Sequence, residues 1–412
     1  MDRRTFLAAA GATGLTAAGT PLREALAATA SGTAGTVNRV AVIGAGIVGA
    51  SIAYNLSKRG CDVVLLDKRG PAAQASGNSF AWINATYYDM PPSYFALRTH
   101  SLNEYYRLSK EAGFPVHWGG SLEWYHSAER EQEVTVGVQR IQQSGAPTWM
   151  VDKERVAEIE PNLNLRSERQ VAYCSREGAV DPGRATRALV DKAIGHGMKS
   201  VFPATVTGVS QHTDNVRVET DVGSFDVDMA VVAAGAGANE IATMIGLGTD
   251  LVKPATPGII VTTRPMERVI NTVAYTTDSH FHQLTDGRVV IGEKAGPPKT
   301  DQHVGYLTAR PNAYPNAELA MQHATRVIAT ASRYLPQLAQ AEVESVGVGW
   351  RPLPLDGLPI VGHVPDMPRI YLASMHSGVT LAPIIGHLAA LEILDGVRVD
   401  LLADFRLERL LN

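Results

Sequence analysis

Four groups of residues have the types and spacing to do chemistry. The first is Gly44-Ala45-Gly46-Ile47-Val48-Gly49, followed by an acid, Asp67, 18 residues beyond its last glycine. Gly44 permits a tight turn, Gly46 lets the backbone approach a pyrophosphate, and Gly49 lets a helix pack closely on a strand. Asp67 can accept from both ribose hydroxyls of an adenosine. With Lys68 beside it, it does not favour NADP, whose 2′-phosphate the carboxylate would repel. The second group is the small polar loop Ala75-Ser76-Gly77-Asn78, placed just after the acid where a second turn can reach a phosphate. The third is Arg351, in Gly349-Trp350-Arg351-Pro352. A planar guanidinium can hold a carboxylate through two parallel bonds and fix its orientation, although an arginine before proline also reads as a structural ion-pair residue. The fourth is the turn Ser374-Met375-His376-Ser377-Gly378, which carries a histidine.

These residues act only if ordinary elements hold them. Arg39 to Ile43 is a short β-branched run that reads as a buried parallel strand. A helical pattern follows, with Ile52, Ala53 and Leu56 on one face and Gly60 as its stop. Cys61 to Leu66 then reads as a second strand ending at Asp67. The helix N-terminus at Ile47 and Val48 therefore turns unpaired N–H groups and a positive dipole toward whatever the glycine loop cradles. Strand, glycine loop, helix, strand and acid together describe a dinucleotide site, a pattern that NAD and FAD share. Near the C-terminus, Ile370 to Ala373 reads as a strand and Thr380 to about Leu394 as a helix, giving a second helix N-terminus at the edge of a strand. Between the two, Phe114–Ser127, Gly258–Thr263, Val273–Thr277 and Arg288–Glu293 have strand-like composition, with Asp286-Gly287 as a hairpin turn. Trp82, Tyr87 and Tyr88 form an aromatic cluster that suits either a pocket wall or a core.

In order and spacing, four stretches resemble the D-amino-acid oxidase superfamily of FAD-dependent amine oxidoreductases, which includes glycine oxidases, sarcosine oxidases and D-amino-acid dehydrogenases. They are Val42 to Asp67 with the Ala75–Asn78 loop; Gly178-Ala179-Val180-Asp181-Pro182 with the helix and Val201–Val209 after it; Ala230 to Gly235; and Gly349 to Gly362 continued by His376 to Pro383. The resemblance implies an α/β fold (α+β overall). A Rossmann-like FAD-binding domain is built from discontinuous segments at 39–95, 160–238 and 343–412, and an antiparallel-sheet substrate domain at 96–159 and 239–342 is inserted into it. It assigns cofactor contacts to Gly44, Gly46, Ile47, Val48, Gly49, Asp67, Lys68, Ser76, Gly77, Asn78, Val206, Ala234 and Gly235. It also aims the N–H groups of Gly378, Val379, Thr380 and Leu381 at the flavin N1–C2=O locus, where reduction places negative charge.

By the same resemblance, Arg351 binds a substrate carboxylate. His376 borders the flavin, where it could donate to it, touch substrate or tune access of the electron acceptor; glycine oxidases carry another residue type there, so no role transfers. The implied reaction oxidises the C–N bond of an amino acid or related carboxylated amine by hydride transfer to flavin N5, giving an imine that hydrolyses. Oxygen or a quinone then takes the electrons. Flavin dehydrogenation of a 2-hydroxy acid or polyol phosphate, and a non-catalytic flavin-binding role, stay open. Relatives that attach flavin covalently use a His or Cys near the nucleotide loop or in the C-terminal segment. Here the loop carries Ser79-Phe80, and Cys61 and Cys174 lie outside both segments, so FAD is expected to be non-covalent.

Composition narrows the rest. Hydrophobic residues at 45% and charged residues at 19% exclude a disordered chain, and a net charge of −4 offers no basic field for nucleic acid. Two cysteines without a CxxC exclude a disulfide scaffold, a thiolate zinc site and a dithiol redox centre; no metal is expected. No apolar run approaches the roughly 18 residues of a membrane span. Residues 1–30, with Arg3-Arg4-Thr5-Phe6-Leu7, a weakly apolar stretch and Ala25-Leu26-Ala27, read as a twin-arginine-type export signal, and 31–38 as a linker. A periplasmic or extracellular location follows from that reading.

Overall fold

Val40, Ala41, Val42 and Ile43 are buried, as an unbroken apolar run demands of a central parallel strand. The computed structural model describes residues 37–411, apart from 87, 89, 166–169, 255, 295–299, 301–304, 308–310, 312 and 315. The proposed signal, nearly all of the linker, and Tyr87 lie outside the described residues.

The strand Arg39–Ile43 sits inside a six-stranded sheet. The order is Ile360–Val364, Met367–Ser374, Met229–Val232, Arg39–Ile43, Asp62–Leu66, Lys199–Val201. All neighbours run parallel except the edge strand Ile360–Val364. The helix Ile47–Lys58 follows the glycine loop directly. It packs against Pro182–Gly195 and against the closing helix Gly378–Asp395. Where Ile47–Lys58 and the closing helix cross, a side chain at Gly386 would lie 2.2 Å from Ser51 Oγ and 2.7 Å from the Ser51 carbonyl oxygen, so only glycine fits. The closing helix is 18 residues long and apolar enough to cross a membrane by composition, contrary to the expectation that no run approached that length. Its apolar surface is accounted for inside the protein, since 67% of it is buried.

An eight-stranded sheet takes the other half. The order is Val343–Arg351, Thr256–Thr263, Val289–Glu293, Ser279–Gln283, Val273–Tyr275, Ser121–Glu123, Val171–Cys174, Thr148–Val151. It is antiparallel but for the pairing of Val273–Tyr275 with Ser121–Glu123. Val343–Arg351 and Val171–Cys174, grouped by sequence with the nucleotide-binding segments, hydrogen-bond into this sheet instead. Phe114–Ser127 is not one strand. Gly119-Gly120 divides it, sending Val116–His117 into a small sheet with Trp82–Ile83 and Gly178–Val180 and Ser121–Glu123 into the large one.

One face of the eight-stranded sheet carries Leu122, Val261, Ala274, Phe281 and Ile291, which form a core with the helix Ala317–Ala331. Cross-strand partners share a face. The register therefore places Arg351 and Thr256, Gly349 and Gly258, Gly347 with Ile260 and Gly292, then His280, Tyr275 and Glu123, together on the opposite face. Four glycines give this face a low floor, and polar side chains ring it.

Candidate active site

The glycine loop is shaped by backbone contact. Gly44 adopts φ +110°, and a Cβ there would sit 2.4 Å from the Ala233 carbonyl oxygen. A Cβ on Gly49 would sit 1.9 Å from the Gly44 carbonyl oxygen, so the helix enters at the closest approach a backbone allows. Asp67 holds the loop from below: its carboxylate accepts from the N–H of Ala45 at 2.8 Å, of Arg69 at 2.8 Å and of Gly70 at 2.9 Å. Ser76 Oγ accepts from the Ile47 N–H at 2.9 Å, which ties the second loop to the helix N-terminus. Asn78 is clamped against the substrate sheet, where a Cβ on Gly347 would lie 2.3 Å from its Oδ1 and one on Gly349 2.8 Å from its carbonyl oxygen.

These groups open on a cavity of about 870 Å³. Its walls include Gly44, Gly46, Ile47, Val48, Asp67, Lys68, Ser76, Asn78, Ala234 and Gly235 at one end. Gly378, Val379 and Thr380 line it too, as do Arg351 and His376. Gly49, Gly77, Val206 and Leu381 do not line it. The first two serve close backbone packing, Leu381 is fully buried, and Val206 packs against the hydrophobic core on the strand Val206–Gln211. Trp82 and Tyr88 both line the cavity, and Tyr88 also packs against the core cluster of Val134, Val138 and Ala172. Neither Cys61 nor Cys174 lines the cavity; both are buried thiols whose pKa burial raises.

The closing helix aims its N-terminus into this space. A Cβ on Gly378 would touch Val48 at 3.1 Å, so the two helix starts converge. Pro383 sits inside the helix and has no N–H for the Val379 carbonyl. The Tyr105 hydroxyl donates to that carbonyl instead, and the Ser101 hydroxyl donates to the Thr380 carbonyl at 2.6 Å. Both come from the helix Pro92–Ala112, which thereby fixes the first turn. The same helix supplies Arg98, fully buried, which donates to the Ser377 hydroxyl at 2.9 Å, to the Asn84 carbonyl at 2.9 Å and to Tyr94 Oη at 3.0 Å. A guanidinium and a helix N-terminus thus point positive potential at one spot on the cavity wall.

Arg351 stands at the edge of the glycine-floored face. Nη2 donates to Thr256 Oγ1 at 2.8 Å, and among the described residues it forms no ion pair. No described residue gives it the partner that a structural salt bridge needs, and it lines the cavity. His376 opens onto the cavity; desolvation first, then the Arg351 and Arg98 charges, push its pKa down to about 4. His280 is pushed to about 3 by burial, then by Lys294, His282 and Arg351. Both rings are neutral at pH 7.

Arg98, Glu123, Tyr125, Tyr275, His280 and Lys294 line the cavity and were missed in the sequence. The alternation Ser279-His280-Phe281-His282-Gln283 was a signal for a strand with both histidines on one face, but its polar composition hid it. Arg98 gave none, because its burial depends on Asn84 and Ser377.

The model of a family described as FAD dependent oxidoreductase, DAO, matches residues 39–391. The chain belongs to the DAO family of FAD-dependent oxidoreductases. It is similar to mitochondrial dimethylglycine dehydrogenase of Rattus norvegicus, 31% identical over 228 residues, covering 54% of this chain and 26% of that protein. It is also similar to glycine oxidase of Bacillus licheniformis, 24% identical over 379 residues, 89% of this chain and 96% of that one. The chain spans between about a quarter and two fifths of the dimethylglycine dehydrogenases it matches. Among solved structures, L-proline dehydrogenase from P. horikoshii shares the fold, with a TM-score of 0.77 at 23% identity over 91% of this chain and 98% of that one.

The residues present fit the DAO cofactor. The glycine cradle that a Cβ would fill, the two converging helix N-termini and the long cavity match a dinucleotide with a flat ring at its far end.

Proposed function

We propose that this DAO-family oxidoreductase oxidises a carboxylated amine at the C–H bond next to nitrogen, with Arg351 holding the carboxylate. The observation that carries the reading is the Arg351 guanidinium itself, without an ion-pair partner among the described residues and lining the cavity beside the closing helix. FAD, held non-covalently by the glycine loop, the Ser76–Asn78 loop and the Gly378–Thr380 turn, supplies the hydride acceptor.

The chain's own residues do the rest. Arg351 accepts the carboxylate through two donors and so sets which C–H faces the ring. The rings of His280 and His376 stay neutral at pH 7, and the lone pair of the unprotonated amine drives hydride departure. The product imine is hydrolysed by water. Arg98 and the closing-helix N-terminus stabilise negative charge developing on the cavity side they face. That glycine oxidase and dimethylglycine dehydrogenase are among the relatives supports an amine substrate, although a glycerol 3-phosphate dehydrogenase is among them too. An export signal at residues 1–30 is proposed with it; the tat-type reading is checked by whether Arg3→Lys with Arg4→Lys abolishes export of the folded yellow protein.

The test is an anaerobic panel of carboxylated amines, the matching amines without carboxylate, and 2-hydroxy acids, reading loss of the visible flavin absorbance. Bleaching by carboxylated amines alone is expected. Bleaching by hydroxy acids and not amines would overturn the reading.

A further inference from the structure

Among the cations lining the cavity, Lys294 has no part in the reaction above. Lys294 follows directly on the strand Val289–Glu293 and continues the ladder, its N–H donating to the Asp278 carbonyl at 3.2 Å. It is therefore in step with Gly292 on the glycine-floored face, the face that also carries Arg351. Two strand steps and two residues separate them, roughly 12 Å between Cα atoms at about 4.8 Å per step and 3.3 Å per residue. Both line the same cavity.

The Lys294 ammonium lies 4.0 Å from the Tyr275 ring centroid and 4.4 Å from that of Tyr125. Among the described residues it makes no ion pair and no side-chain hydrogen bond. The acids that bear on it, Glu123 and Asp278, act only at longer range. Two aromatic faces hold the charge in place, but at about 0.5–2 kcal/mol a cation–π contact does not replace a carboxylate. Arg130, whose guanidinium carbon is 5.0 Å from the Tyr125 ring, also lines the cavity, its charge paired with Glu133. Glu123 is the acid that bears most on Lys294; burial raises its carboxyl pKa, while the Tyr125 hydroxyl, donating to it at 2.5 Å, and the Lys294 charge lower it. Loss of solvation lowers the Lys294 pKa to about 8, so the ammonium stays charged at neutral pH with no carboxylate at ion-pair distance among the described residues.

We propose that the substrate carries a second acidic group, bound by Lys294 while Arg351 binds the carboxylate beside the reacting carbon. This rests on the amine-oxidising reading above and narrows it to a short amino or imino diacid. A cation at each end of a glycine-floored trough fixes the substrate at two points, which determines its direction as well as its position.

The probes are glutarate and valerate, dead-end ligands of equal chain length that differ by one carboxylate. Each is titrated into the FAD-loaded enzyme while the flavin spectrum reports binding. Glutarate is expected to bind at least tenfold tighter than valerate. In Lys294→Gln that ratio should fall to near one with valerate affinity unchanged, and Lys294→Arg should restore most of it. Equal binding in the unaltered enzyme, or a glutarate preference that survives Lys294→Gln, overturns the proposal. The parent reading fails separately: norvaline or glutamate bleaching the flavin in an Arg351-dependent way sustains it whatever glutarate does, and no bleaching by any carboxylated amine sinks it.

Discussion

The hydroxyl of Tyr105 occupies the Val379 carbonyl, the acceptor that Pro383 leaves without its helical donor. A proline that would otherwise weaken the first turn of the closing helix is thereby matched by a side chain from another helix, and the turn's N–H groups stay open to the cavity. Tyr105→Phe leaves a buried carbonyl unsatisfied and should lower stability by about 1–3 kcal/mol. Urea unfolding of the FAD-loaded protein measures it. Tyr106→Phe, at an exposed neighbouring ring, should stay within about 0.5 kcal/mol.

Asp67 acts on the loop before it acts on any ligand. With three backbone N–H groups on its carboxylate, Asp67→Ala unties the glycine loop from the turn after the second strand. FAD affinity of the apoprotein should fall roughly 10- to 100-fold, taking about 1–3 kcal/mol for the lost charged bonds. Flavin fluorescence during reconstitution reads it; unchanged affinity would show that the loop holds its shape without the acid.

Gly349→Ala places a methyl carbon 2.8 Å from the Asn78 carbonyl oxygen, a backbone atom that cannot swing aside. The Ser76–Asn78 loop must move, at a cost of about 1–3 kcal/mol, with weaker FAD retention on dialysis. Gly195→Ala, where nothing lies within 4 Å, is the control and should leave both unchanged.

The nucleotide half was legible because its signals are local. The β-branched strand, the glycine spacing and the distance to Asp67 are all set within a stretch that folds as one strand–helix–strand unit. Arg351 was legible through its motif, and the glycines before it are explained by Asn78. The far end of the cavity was not legible. Glu123, Tyr275, His280 and Lys294 become neighbours only through a register joining four strands that no local pattern ties together. The closing helix was read as starting at Thr380, yet it begins at Gly378, because Ser377 and the Arg98 contact to it set the start from outside the helix.

His282 gives the protein a defined acid sensitivity. It is fully buried, Nε2 lies 2.7 Å from the Phe80 carbonyl oxygen, and burial pushes its pKa down to about 4. An unfolded histidine takes up its proton near pH 6.5, so between about pH 6.5 and 4 the unfolded chain binds more protons than the folded one. Stability contributed by the neutral ring is complete above pH 6.5 and is lost as pH falls toward 4, by roughly 3 kcal/mol in all. His282→Gln should reduce the stability difference between pH 7.5 and pH 5 by about 2 kcal/mol, leaving the shares of His280 and His376, followed by urea titration at each pH. An unchanged difference would assign the acid sensitivity to other groups.

The guanidinium of Arg351 is where the reading of function is most exposed to test. Anaerobic single-turnover reduction of the bound flavin by a carboxylated amine separates binding from the chemical step. In Arg351→Ala the amine concentration giving half-maximal rate should rise at least 100-fold, with the flavin spectrum intact and partial recovery on adding guanidinium ion. A half-saturating concentration and rate equal to those of the unaltered enzyme, for every carboxylated amine that bleaches it, would contradict the assignment.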